Sequence, residues 1–196
     1  MLIMYDSESN CQSSTIPYIH TEIEHLPECS EETARNKWLD VSMLPQLRQK
    51  YSGKIALLTG CFDIYHEGHE IQLYQSKGYV PDGLLVVGIN SDDCVQQLKG
   101  PDRPINDVSH RWLKVAKQHP VDKVFVFPDK TAVEVLKALC PDVFITFNEP
   151  GKLYNNPQIL EIVERMPRTV FRLNVDFAKD PNGNRISTTS ILDNKV

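Results

Sequence analysis

Cysteine offers this chain little organisation. The five cysteines, at positions 11, 29, 61, 94 and 140, show no Cys-x-x-Cys or similar ligand spacing, so a cysteine-built metal site is not expected. Free thiols in such a chain point to a reducing cytoplasm. Excess positive charge is also lacking. There are 21 Lys and Arg against 26 Asp and Glu, a formal net charge of −5, whereas broad nucleic-acid affinity wants a basic face. No apolar run approaches membrane-spanning length. The amino terminus, with Asp6 and Glu8 beside polar residues, does not read as a signal peptide. Neither a nucleic acid nor a membrane is therefore expected as a partner. With 196 residues, 41% of them hydrophobic, the chain can bury one substantial core, and a second full domain is not expected.

Residues 1 to 30 are rich in Ser, Thr, Glu and Pro without a sustained period and read as a tail or arm. Ile16, Tyr18, Ile19, Ile23 and Leu26 are scattered through it, which leaves open an arm that docks or serves a homodimer. Ser30-Glu-Glu-Thr33 has the form of a helix start. Leu39, Met43, Leu44 and Leu47 follow at roughly helical spacing, so residues 1–50 are expected to be a tail and short helices packed on a main domain over 51–196. From Lys54 the pattern alternates. Strands are predicted at 54–59, 84–90, 123–127, 143–147 and 169–174, with helices near 67–77, 91–98, 109–118, 131–139 and 156–165. Short apolar strands separated by such helices imply an α/β fold, a Rossmann-like doubly wound parallel sheet of about five strands with helices on both faces. Ligands bind such sheets beyond the carboxyl ends of the strands. Gly60 and Asn90 lie at two such ends.

The run Thr59-Gly-Cys-Phe-Asp-Ile-Tyr-His-Glu-Gly-His69 joins one of these ends to a helix. Gly60 allows the backbone to leave the strand with φ angles forbidden to other residues. His66 and His69 are three residues apart, a spacing that puts both rings on one helix face beside unpaired N–H groups and the positive end of the dipole. Gly68 removes a side chain from between them. The group reads as an anion cradle with two movable proton donors. Against this stand a capping or solvated role for either histidine alone and a zinc hydrolase, for which the pair lacks companion ligands.

Lys99 and Arg103 lie in a loop stiffened by Pro101 and Pro104, with Gly100 at a bend and Arg111 in the next helix. These are either solvated surface charges or cations held ready for phosphate. In Ile186-Ser-Thr-Thr-Ser-Ile-Leu192, Ser187 is a good N-cap. Ser187, Thr188 and Thr189 either satisfy the helix start locally or form a second anion site, to which Arg185 would add charge.

Gly60, Phe62, Asp63, His66, Gly68 and His69 fill the fixed positions of GxFDxxHxGH, so the chain resembles the HxGH nucleotidylyltransferase (cytidylyltransferase-like) superfamily. Within it the chain is most similar to the adenylyltransferase domain of the bifunctional heptose biosynthesis enzymes. The likeness runs over roughly residues 40 to 192, through Val86–Asp92, Leu98–Asn106 with Arg111, and Ile186–Ile191. It implies transfer of a nucleotidyl group from ATP or CTP to a small phosphorylated acceptor with release of pyrophosphate, most simply adenylyl transfer to a sugar phosphate. His66, His69 and Lys99 would be catalytic. Gly60, Cys61, Phe62, Asp63, Gly68, Asn90, Asp92, Arg111, Ser187, Thr188 and Thr189 would surround the nucleotide, and Lys99 and Arg103 the acceptor. Asp63 would orient its loop rather than act as a base. Magnesium would arrive with the triphosphate, since no carboxylate cluster suggests a protein-built metal site.

One segment departs from the relatives. Where they carry a Gly-Gly-Asp or Gly-Asp-Asp type loop, this chain has Thr146-Phe-Asn-Glu-Pro-Gly151. The acceptor is therefore not legible, nor is the choice between adenine and cytosine. A cytidylyltransferase acting on an alcohol phosphate and a noncatalytic nucleotide-binding regulator both remain open at this stage.

Overall fold

The computed structural model of the chain describes residues 3–5, 26–145, 157–164 and 169–171. Four parallel strands form the central sheet: β2 (Ile55–Gly60), β3 (Leu84–Asn90), β4 (Lys123–Phe127) and β5 (Val143–Ile145), in the order β4-β3-β2-β5. Ile55 lies opposite Leu84 and Gly60 opposite Ile89; Ala56 lies opposite Val143 on the other side. The order runs outward from β2 through β3 to β4, then jumps back past β2 to place β5. This reversal puts a crevice at the carboxyl end of β2, the usual ligand position in an open α/β sheet.

The alternation of side chains across each strand decides the two cores. Ala56 and Leu58 of β2, with Leu85, Val87 and Ile89 of β3, face one side. They pack with Leu73 of α3 (Glu67–Gly78) and Val115 and Ala116 of α5 (Val108–Ala116). Ile55 and Leu57, with Val86, face the other side. There they meet Leu44 of α2 (Leu44–Lys50), Leu136 and Leu139 of α6 (Val133–Leu139), and Ile159 of α7 (Pro157–Glu164). Burial on both faces explains the near-continuous apolar runs of these strands.

Two aspartates fasten the strand starts by the same device. The Asp122 carboxylate accepts from the Leu85 N–H and from Lys77, both at 2.7 Å. Asp142 accepts from the Ile55 N–H and from Arg48, both at 2.8 Å. Ahead of the sheet, α1 (Glu31–Arg35) is capped by Ser30, which accepts from the Thr33 N–H. The chain then passes along the outer edge of β4. Lys37 O accepts from Val124 N and Leu39 N donates to Val124 O, at 2.9 and 2.8 Å.

The expected fifth parallel strand is corrected by the pairing of β6 (Thr169–Phe171). It pairs antiparallel with β1 (Ile3–Tyr5) in a separate two-stranded ladder, Ile3 opposite Phe171. A short apolar triplet does not encode which sheet it joins, and its partner lies at the far end of the chain. Among the described residues no helix is long and apolar enough to cross a membrane.

Gly88 sits in the middle of β3 because space is absent there. A Cβ at this position would lie 2.7 Å from a Phe125 ring carbon and 3.1 Å from Phe127. Gly88→Ala is expected to destabilise the fold by about 1–3 kcal/mol, the usual cost of overpacking a core, measured as a lower urea midpoint at unchanged m-value.

Candidate active site

The chain leaves β2 through Cys61 and Phe62. Phe62 has a φ of 50°, the left-handed region that bulky side chains avoid. Gly60 is not the residue with positive φ; among the described glycines only Gly100 is, at 105°. Gly60 instead provides room, since a Cβ there would come within 2.9 Å of the Phe62 ring. The strained turn drives the Phe62 ring back over the strand end and against His69, 5.1 Å between centroids.

His66 is the N-cap of α3 and His69 its third residue. Their rings lie 3.9 Å apart, and Tyr65 stacks on His69 at 5.6 Å. His69 is thus walled by Phe62, Tyr65 and His66. Its Nδ1 accepts from the His66 backbone N–H at 3.4 Å, which leaves the ring proton on Nε2. Burial, then the neighbouring His66 and Lys99 charges, pushes its pKa down to about 3. His69 is therefore a neutral Nε2–H donor at physiological pH. Burial and the neighbouring charges disfavour a second proton on this ring.

Arg111 is also placed differently from a surface phosphate binder. It is 1% exposed, and its guanidinium ties two backbone carbonyls and a carboxylate together. It donates to Cys61 O at 2.6 Å, Asn90 O at 2.7 Å and Asp92 Oδ1 at 2.7 Å. These acceptors lie after β2, at the end of β3 and at the start of α4 (Asp92–Lys99), whose N-cap is Ser91. Asn90 extends the network. Its Nδ2 donates to Cys94 Sγ at 3.4 Å and Asp129 O at 3.2 Å, and its Oδ1 accepts from Cys61 Sγ at 3.6 Å. Burial raises the Cys61 thiol above its ordinary pKa despite the nearby cations, so it stays a thiol.

Asp63, 2% exposed, holds the following loop. Its carboxylate accepts from Ile105 N at 2.8 Å and Asn106 N at 3.0 Å, and pairs with the Arg103 guanidinium. Arg103 is correspondingly committed to Asp63 rather than projecting freely. Lys99 is the exposed last residue of α4, and Gly100 turns the chain immediately after it. The field of Lys99 reaches both His69 and Cys61. Gly68 is buried in the first turn of α3.

The structure therefore brings Gly60 to Asp63, His66, Gly68, His69, Asn90, Asp92, Lys99, Arg103 and Arg111 to the carboxyl edge of β2 and β3. Ser187, Thr188, Thr189, Arg185 and the 146–151 loop lie outside the described residues. Sequence reasoning missed Tyr65 and Asn106. Tyr65 sits inside the motif at a variable position, and Asn106 matters through a 2.5 Å hydrogen bond from its Nδ2 to Asp63 O, a contact forty-three residues away in sequence. Among the described residues no group of three or more His, Cys, Asp or Glu could hold a metal ion.

The family model Cytidylyltransferase-like matches residues 57–194. The chain is 35% identical over 148 residues to the Bifunctional protein HldE of Helicobacter hepaticus, a match covering 76% of this chain and 29% of that protein. It is 42% identical over 106 residues to the Bifunctional protein HldE of Campylobacter fetus, covering 54% and 23%. The matched region is thus under a third of either relative's length. A lipopolysaccharide core biosynthesis protein from Thermoplasma volcanium shares the fold with a TM-score of 0.52 at 20% identity, over 63% of this chain and 98% of that one.

Two outcomes follow from this geometry. Arg111→Ala should cost about 3–5 kcal/mol in equilibrium unfolding, the usual penalty for breaking a buried charged network, and Arg111→Lys should recover only part because an ammonium cannot span the three acceptors. His69 binds fewer protons folded than unfolded between its ordinary pKa of 6.5 and about 3. Its contribution to stability is thus complete above pH 6.5 and lost as pH falls through that window. In His69→Gln, stability measured by denaturant titration should fall less steeply from pH 6.5 toward 3 than in the unaltered protein.

Proposed function

Because the chain belongs to the cytidylyltransferase-like family, we propose that it transfers a nucleoside monophosphate from a nucleoside triphosphate to a small phosphorylated acceptor, releasing pyrophosphate. The observation that carries this reading is the neutral Nε2–H of His69 beside His66 at the first turn of α3, at the carboxyl end of a central strand. Fixed neutral donors at a helix N-terminus stabilise charge developing on phosphoryl oxygens without giving up a proton.

An acceptor phosphate oxygen attacks the α-phosphorus, and the bond from that phosphorus to the pyrophosphate oxygen breaks. No covalent enzyme intermediate forms. Positioning and electrostatics supply the rate. His66 and His69 donate to the oxygens that gain charge. Lys99, exposed beside them, neutralises the phosphates and guides the acceptor. Ser187, Thr188 and Thr189 hold the leaving pyrophosphate. Arg111 acts on the nucleotide through Cys61, Asn90 and Asp92, whose positions it holds, while Asp63 and Arg103 set the loop that carries the acceptor side. Magnesium travels on the triphosphate and supplies charge neutralisation there; Asp63 and Asp92 are both committed to arginines, so its ligands would be phosphate oxygens and water.

Similarity to the bifunctional heptose enzymes supports adenylyl transfer to a sugar 1-phosphate. Cytidylyl transfer to an alcohol phosphate is the competing assignment. Pyrophosphate release should be measured with the four common triphosphates against a panel of sugar and alcohol phosphates. Acceptor-dependent release with ATP is expected, and His69→Ala should lower kcat about 10²–10³-fold, the usual effect of losing one donor to a developing anion. Nucleotide binding without turnover across the panel would make the chain a regulator instead.

A further inference from the structure

The bond that orients the His69 ring is too long to hold it alone. Its Nδ1 accepts from the His66 backbone N–H at 3.4 Å, beyond the range of about 2.7–3.2 Å usual for protein N–H donors. The torsion that turns a histidine ring about its Cβ–Cγ bond has broad minima rather than sharp ones. A weak bond on such a soft torsion leaves the ring free to swing unless its faces are covered. The plane of His69, and with it the nitrogen that carries the proton, must therefore be set by packing.

Three rings supply that packing, in different geometries. Phe62 meets His69 at an interplanar angle of 45° and His66 meets it at 32°, both tilted, whereas Tyr65 stacks at 24° with 5.6 Å between centroids. The neighbour closest to parallel is the one that most resists a swing. The Tyr65 hydroxyl makes no use of its chemistry here: it is buried without a hydrogen-bond partner, and burial raises it above its ordinary pKa, so it is neither an anchor nor a base. The contacts of Tyr65 are made by its ring, which packs on the core cluster of Leu73 and Val115 and lies under the Lys114 ammonium, 5.5 Å from the centroid.

We infer that Tyr65 is a positioning residue, whose ring face fixes the plane of His69 so that Nδ1 keeps its long bond and Nε2 keeps the proton; this rests on the proposed function only for the reaction that His69 serves. Tyr65 acts through His69 and touches no reacting atom. Without the stacked face, the ring swings, the bond from the His66 N–H is lost for part of the time, and the proton exchanges between Nδ1 and Nε2. A donor that is present in the wrong tautomer, or aimed a few tenths of an ångström astray, lowers the rate without loosening the substrate.

The test is nitrogen NMR on the isotope-labelled full chain at neutral pH, with His69→Gln used to assign the ring. In the unaltered protein the two His69 nitrogens should give widely separated resonances, one protonated and one bare. In Tyr65→Leu they should move toward each other as the tautomers mix, and kcat should fall about tenfold while KM for the triphosphate changes by less than about twofold. Tyr65→Phe should restore both, since the ring and not the hydroxyl is the working part. Should Tyr65→Leu not fold, Tyr65→Met replaces it, filling similar space without a flat face. Three results would overturn the inference: His69 resonances unmoved by loss of the ring; KM raised at unchanged kcat, which would make Tyr65 a wall of the substrate pocket; or Tyr65→Phe no better than Tyr65→Leu, which would give the work to the hydroxyl. If the unaltered chain turns over no triphosphate, the proposed function fails, while the His69 resonances still decide whether Tyr65 sets that ring.

Discussion

The cleft is held because a buried arginine serves the exits of two strands at once. Arg111 reaches from α5 to the carbonyls of Cys61 and Asn90 and to the Asp92 carboxylate. In an open parallel sheet, strand ends and the loops beyond them have no ladder to hold them. Here one guanidinium, withdrawn from water, fixes the exits of both β2 and β3. The cost of desolvating that charge is offset only because each contact is short and well aimed, so the loops have little freedom to drift apart. The motif histidines inherit their positions from this arrangement.

A second buried charge does the same for the next loop. Asp63 binds Arg103 and two consecutive backbone N–H groups, at Ile105 and Asn106. The motif therefore does two different jobs within a few residues: its aspartate and glycine shape backbone, while its histidines stand ring to ring at the first turn of α3. His69 is the extreme case. Beside aromatic rings and with burial pushing its pKa down to about 3, it is held as a neutral dipole near neutral pH.

Much of this architecture was readable from residues. The segments 84–90 and 123–127 are strands with those limits, since unbroken apolar runs bounded by turn residues have few other solutions. The parallel sheet followed from alternation with helices. The destination of 169–171 did not, because pairing with Ile3–Tyr5 is a fact about distant chain ends. At the site, the histidine spacing was plain, yet the role of Arg111 was not. A lone arginine on a helix reads as a surface charge or a phosphate ligand, and its acceptors lie nineteen to fifty residues away. Positive φ was assigned to Gly60 on composition, whereas Phe62 adopts it and glycine yields the space its ring needs.

The strand-like passage of Lys37 to Leu39 along β4 has a consequence for the molecule among its neighbours. A parallel sheet ending in a bare strand offers a row of unpaired N–H and C=O groups, on which another chain can add a strand. Val124, the second residue of that edge strand, has both of its outward groups already taken by Lys37 and Leu39. The short segment ahead of α2 thus acts as a selvedge, closing the fabric at the start of that edge against unplanned growth.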